Sequence, residues 1–197
     1  VLIGTNPAIS QMSVVQVPRA MARLKAIVDR GGRVVSVNPR RTETARAVGD
    51  HLFIRPGTDV FLLASFLHVV LAEGAVDRAL VHTHTTGFGD LAAVVADWSP
   101  ERTEAVTGVA AADLRELVAD YLAADGASLY CSTGVYMGPH GTLTFWLLNV
   151  INAVTGNLDR AGGALVRTPP FDFQKQSKAT GLGVSDARSR VGDFEAI

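Results

Sequence analysis

The sequence predicts an α/β fold: a Rossmann-like, open and mainly parallel sheet with helices on both faces. Three observations predict it. Val34, Val35 and Val37 form a short β-branched run that stops abruptly at Asn38-Pro39, as a buried parallel strand does at its carboxyl end. A helical period precedes that run, with Val17, Met21, Leu24 and Val28 on one face and Gly31-Gly32 as its stop. Strand-like Val1-Leu2-Ile3 comes before both, so the order is β-α-β, which is right-handed and parallel.

Each element then follows in order. Gly4-Thr5-Asn6-Pro7 is a turn in which glycine permits a tight bend and close approach to a ligand. A helix is expected over residues 14–30, the strand ending at Asn38, a short helix over 42–48 and a short strand over 51–54. Arg55-Pro56-Gly57 ends that strand, and Thr58 is the expected N-cap of an apolar helix over 59–73, with Asp59 in its first turn. Further helices are expected over 76–83, 90–98 (after a break at Gly87-Phe88-Gly89), 99–106 with Ser99 as cap and Pro100 at N1, and 111–124. Residues 127–131 read as a strand and Ser132-Thr133-Gly134 as a small-residue loop. A helix over 143–154 carries Trp146, Leu147, Val150, Ile151 and Val154 on its apolar face. Residues 1–167 are taken as one domain, and 168–197 as an extended tail belonging to a neighbouring region.

Bulk properties narrow the function. The chain has 197 residues, 48% hydrophobic and 19% charged, enough to bury a core. A net charge of -1 offers no basic surplus for nucleic acid. One cysteine, Cys131, allows no disulfide framework within the chain. It is read as a small buried residue. The most apolar window, residues 60–71, contains Ser65 and His68 and is too short to cross a bilayer, so no membrane insertion is expected. The first residues are not a signal peptide and lack an initiator methionine, so the chain is expected to be a piece of a longer protein. The cytoplasm is the expected compartment, with the periplasm left open.

Four strand-end loops converge on one sheet edge in this topology, where open α/β sheets bind ligands. Gly4, Thr5 and Asn6 present small groups and backbone N–H to phosphate. Asn38 stands where a strand-end side chain meets ribose hydroxyls, and Arg40 and Arg41 can neutralise phosphate. Gly57, Thr58 and Asp59 offer a carboxylate that can accept two N–H bonds from a guanine edge. Thr133 and Gly134 leave room for a flat ring. Taken singly, each is a common turn, terminator or cap. Together they suit a nucleoside diphosphate. Of the histidines, only His140, beside the last loop, merits a test; His82 and His84 are two apart and share no helical face.

The joint pattern resembles the molybdopterin oxidoreductases of the dimethyl sulfoxide reductase family. It consists of Gly4-Thr5-Asn6-Pro7, Val37-Asn38-Pro39-Arg40-Arg41-Thr42-Glu43-Thr44-Ala45, Arg55-Pro56-Gly57-Thr58-Asp59, Thr107-Gly108-Val109, and Thr155-Gly156-Asn157-Leu158-Asp159-Arg160-Ala161-Gly162-Gly163. The resemblance implies a bis(molybdopterin guanine dinucleotide) cofactor carrying molybdenum or tungsten. This segment would hold the guanosine end of one dinucleotide through Gly4, Thr5, Asn6, Pro7, Ser10, Val37, Asn38, Pro39, Arg40, Arg41, Gly57, Thr58 and Asp59. Thr133, Gly134 and Met137 would lie by the pterin. It also implies a small-molecule redox substrate, an electron-transfer subunit, and an iron–sulfur cluster, where present, in a part of the protein before residue 1. No catalytic residue or metal ligand falls in this piece, which alone is expected to be inactive. Three departures stand out. Asn38 replaces the family's usual acidic residue. Met137 replaces a frequent glutamine. Thr168-Pro169-Pro170-Phe171-Asp172 stands where formate dehydrogenases carry Gly-Gln-Asn-Asn, which argues against a plain formate dehydrogenase. Two competing readings are a nicotinamide-dependent dehydrogenase with a degenerate fingerprint and a non-catalytic nucleotide-binding module.

Overall fold

The computed structural model describes residues 1–10, 17–166, 176, 177 and 180. The chain divides into two units, Val1–Leu165 and Val166–Ile197. In the first, β1 (Leu2–Ile3), β2 (Val35–Asn38), β3 (Asp50–Phe53) and β4 (Tyr130–Cys131) form an all-parallel sheet in the order β3-β2-β1-β4. Ten helices surround it among the described residues: α1 (Pro7–Ser10), α2 (Ala20–Asp29), α3 (Glu43–Ala47), α4 (Asp59–Ala72), α5 (Arg78–His84), α6 (Phe88–Val95), α7 (Pro100–Thr107), α8 (Ala111–Ala123), α9 (Thr133–Tyr136) and α10 (Gly141–Val154).

The strands alternate between two cores because side chains on a strand point to opposite faces. Ile3, Val35, Val37 and Cys131 face the larger core, which α4, α8 and α10 fill. Leu2 and Val34 face the smaller one, with Leu24 of α2 and Val48. α4 is apolar nearly all round and lies in the middle of the larger core, with Leu63, Phe66, Leu67 and Val70 fully buried. Burial of each such side chain stabilises the fold by about 1.5–3 kcal/mol.

Several expectations need correction. α2 begins at Ala20, because Pro18 lacks an N–H donor and Arg19 adopts a left-handed φ of 57°. The expected helix start at 14–16 lies outside the described residues. Of Gly87-Phe88-Gly89, only Gly87, at φ 74°, lies outside a helix; Phe88 and Gly89 begin α6. Thr58 does not cap α4 with its side chain, because its hydroxyl donates to the Arg55 carbonyl instead. Ser132-Thr133-Gly134 is not an open loop: Val135 and Tyr136 donate backbone bonds to the Ser132 carbonyl, and α9 starts at Thr133. α1 was not expected either, although Pro7 at the first helical position is its sequence signal. Trp146 is 48% exposed, not buried. Of the tail expected to be extended, Gln176, Ser177 and Thr180 are helical, the Thr180 hydroxyl donating to the Gln176 carbonyl. The remainder of 167–197 lies outside the described residues.

Candidate functional site

Every strand runs the same way, so the segments after β1, β2, β3 and β4 leave from one edge of the sheet. Two joints on that rim are made by backbone. Gly4 donates its N–H to the Val37 carbonyl at 3.1 Å, and its carbonyl accepts the Gly134 N–H at 3.1 Å. A Cβ on Gly134 would sit 2.6 Å from the Gly4 oxygen, and one on Gly4 would sit 2.9 Å from the Val135 nitrogen. The two peptides therefore touch with no side chain between them, and Gly4 needs its φ of 59° to do so. Gly57, at φ 76°, lies against Pro139, which a Cβ would meet at 3.4 Å.

Side chains finish the rim. Asn38, buried at the end of β2, donates from Nδ2 to the Thr5 carbonyl at 3.2 Å. Asn6 is tied to α3: its Nδ2 donates to Glu43 at 2.6 Å, and its Oδ1 accepts from the Thr44 hydroxyl at 2.8 Å and the Thr44 N–H at 3.2 Å. Arg40 donates to both oxygens of Glu43. That Arg40 fork, with the Asn6 amide, holds the Glu43 carboxyl down to about 2. Arg41 and Met137 are exposed, as are Pro39, Thr133 and Gly134. Val37 and Pro7 are buried and serve packing, and Ser10 donates to the Asn6 carbonyl.

Asp59 differs from these. Burial raises its carboxyl above the ordinary carboxylate range, and no other side chain among the described residues bonds to it. It lies near Cys131, whose buried thiol is pushed up to about 11 by burial. Tyr136, also raised by burial, donates its hydroxyl to the Cys131 carbonyl. Thr5 adds a second open group: its Oγ1 is buried without a partner. The rim thus offers unspent polar groups, glycine-lined backbone and two exposed arginines, a donor and acceptor set that fits a nucleoside diphosphate.

Sequence reasoning missed Thr44 and Glu43 as organisers of the rim. The signal was the Thr42-Glu43-Thr44 run. Thr42 accepts the Ala45 N–H as N-cap of α3, and this turns Glu43 and Thr44 toward Asn6. Two other motifs belong elsewhere. Arg55 donates to the Ala105 and Val106 carbonyls at the end of α7, and its N–H to Thr107, so Arg55 and Thr107-Gly108 make one helix C-cap. The Asn157 motif closes against the segment leading into β4, where its Oδ1 accepts the Ala127 N–H.

Away from these groups, a concavity of about 530 Å³ lies between α4, α6 and α10 and is lined by Phe61, Leu91, Trp98, His140 and Trp146 among others. Its walls are almost wholly apolar, and it offers phosphate nothing to bind. The His140 ring stands 6.3 Å from that of Phe61. Among the described residues no cluster of three metal-ligating side chains exists.

The family model described as Molybdopterin oxidoreductase matches residues 1–192. Formate dehydrogenase H of Escherichia coli (strain K12) is 32% identical over 130 residues, 66% of this chain and 18% of that protein. The dimethyl sulfoxide/trimethylamine N-oxide reductase of Cereibacter sphaeroides is 32% identical over 151 residues, 73% of this chain and 18% of that protein. The F420-dependent formate dehydrogenase subunit alpha of Methanocaldococcus jannaschii is 29% identical over 147 residues, 75% and 22% of the two chains. The chain thus spans about a fifth of the length of these relatives. In fold, it is similar to the acetylene hydratase from Pelobacter acetylenicus, with a TM-score of 0.70 at 23% identity over 83% of this chain and 22% of that one.

Proposed function

This chain belongs to the molybdopterin oxidoreductase family, and we propose that it is the segment of a larger redox enzyme that grips the guanosine diphosphate end of a molybdopterin guanine dinucleotide. When bound, that cofactor supplies the molybdenum or tungsten dithiolene centre at which electrons are exchanged with a small-molecule substrate. The residues of this chain bind and orient. The glycine-lined backbone at Gly4, Thr5 and Gly57 takes phosphate oxygens, with Arg40 and Arg41 as counter-charge. Asn38 keeps its Oδ1 for a ribose hydroxyl. Asp59 accepts the two N–H groups on the guanine edge. Thr133, Gly134 and Met137 lie toward the pterin.

The observation that carries the reading is Asp59: a half-buried carboxyl raised by burial and bonded to no described side chain, on a rim where most other polar groups are spoken for. Half-buried and without a side-chain partner, this carboxyl keeps acceptor capacity that a ligand with paired N–H donors can use. In the complete enzyme an iron–sulfur cluster and an electron-transfer subunit would carry the electrons onward. The alpha-subunit names of some relatives support such a partner.

The test is a titration of the purified chain with GDP, ADP and NAD. Guanine-selective binding that disappears in Asp59→Ala is expected. Equal binding of ADP or NAD, or GDP binding that survives the substitution, overturns the reading.

A further inference from the structure

The loop of residues 4–10 is held in a conformation that it would not choose alone. It leaves the Thr5 hydroxyl buried without a partner and puts Gly4 at a φ of 59°. The unpartnered hydroxyl costs free energy and persists only where the surroundings impose it, while the left-handed turn is open to residue 4 because it is a glycine. On the sheet side the loop is fixed by Asn38 and Gly134. On the outer side one residue does most of the fixing. Thr44, fully buried in the first turn of α3, accepts the Ala8 N–H at 3.0 Å and donates its hydroxyl to Asn6 Oδ1 at 2.8 Å. Its own N–H goes to the same oxygen. With Glu43 on Nδ2, the Asn6 side chain has spent both lone pairs and one N–H on α3. It serves as a strut, with little left to give a ligand.

We infer that Thr44 is a positioning residue for the nucleoside diphosphate: it presets the loop of residues 4–10, through Asn6 and Ala8, in the conformation that binds. This rests on the proposed guanosine diphosphate site, and concerns a residue that need not touch the nucleotide. A loop already ordered in the free protein loses less freedom on binding, so removing its anchor weakens affinity even where the fold survives.

The experiment compares wild type, Thr44→Val and Thr44→Ser by calorimetric titration with GDP, well below their thermal midpoints, alongside amide exchange at Ala8. Thr44→Val keeps the shape and removes the hydroxyl. It is expected to bind GDP about tenfold more weakly and to lose protection at Ala8. Thr44→Ser restores both. If Thr44→Val does not fold, Asn6→Ala breaks the same tie from the loop side and is expected to weaken GDP to a similar degree. Freed exchange at Ala8 with an unchanged GDP dissociation constant overturns the inference and leaves the nucleotide site intact. Absence of GDP binding by the wild type overturns both.

Discussion

Asn152 and Asn157 sit towards one end of the sheet and Asn38 at the other, and their side chains are used in different ways. Before β4, Asn152 is 1% exposed. Its Oδ1 accepts from the Tyr121 hydroxyl at 2.9 Å and the Leu129 N–H at 3.0 Å, while its Nδ2 donates to the Leu129 carbonyl. Asn157 accepts from Ala127, donates to Thr155, and takes the Ala164 N–H on its own carbonyl. Little bonding capacity is left over there. On the rim, Asn38 is also buried but makes one side-chain donation, Thr5 Oγ1 has no partner, and the Asp59 carboxyl is bonded to no other side chain among the described residues. Saturated polar groups build architecture, and unsaturated ones at a strand end are available to a ligand.

The sharpest way to break that contrast is at the saturated end. Asn152→Ala leaves two backbone groups of Leu129 unpaired and removes the better of the Tyr121 hydroxyl's two bonds, and is expected to cost about 3–5 kcal/mol in urea unfolding. GDP affinity of the folded fraction should stay unchanged. A loss below about 1 kcal/mol would remove the distinction. Gly163→Ala follows, since its Cβ would fall 2.1 Å from the Asn157 carbonyl oxygen. Thermal melting should show a loss of about 1–3 kcal/mol. At the rim, Gly134→Ala presses on the Gly4 oxygen, and there the expected injury is functional: GDP affinity falls about tenfold for roughly 1 kcal/mol of stability.

Asp59 sharpens the comparison through pH. Its raised carboxyl holds a proton more tightly in the folded chain than in the unfolded one. Stability therefore declines as pH rises from the ordinary carboxylate value through the raised one. Asp59→Asn should abolish that decline and lift the melting temperature slightly at neutral pH. GDP affinity, which needs the ionised form, should weaken as pH falls through the same window. A flat affinity profile would count against guanine recognition at this carboxyl. The smallest effect is expected of Arg41→Ala: stability within about 0.5 kcal/mol, with a few-fold weaker GDP binding that high salt masks.

Much of the fold was legible in the residues. The valine run ending at Pro39 marks β2, and most helices begin or end where their caps and glycines place them, because those signals are local. What escaped depended on contacts distant in sequence. α9 is helical although Ser132-Thr133-Gly134 reads as a loop. Trp146 has an apolar helical position but borders an open concavity. The four rim segments followed from parallel topology, yet Thr44 and Glu43 did not stand out, since their meaning comes from Asn6, nearly forty positions earlier. Arg55 reads in sequence only as part of the stop after β3, yet its side chain caps the end of α7, some fifty positions later.

The bare contact between Gly4 and Gly134 has a mechanical consequence. Two peptide planes pressed together, one bonded to the other, leave no soft side chain to absorb a displacement. The turns after β1 and its edge neighbour β4 must shift as a single rigid piece, so a push delivered at one is felt undiminished at the other.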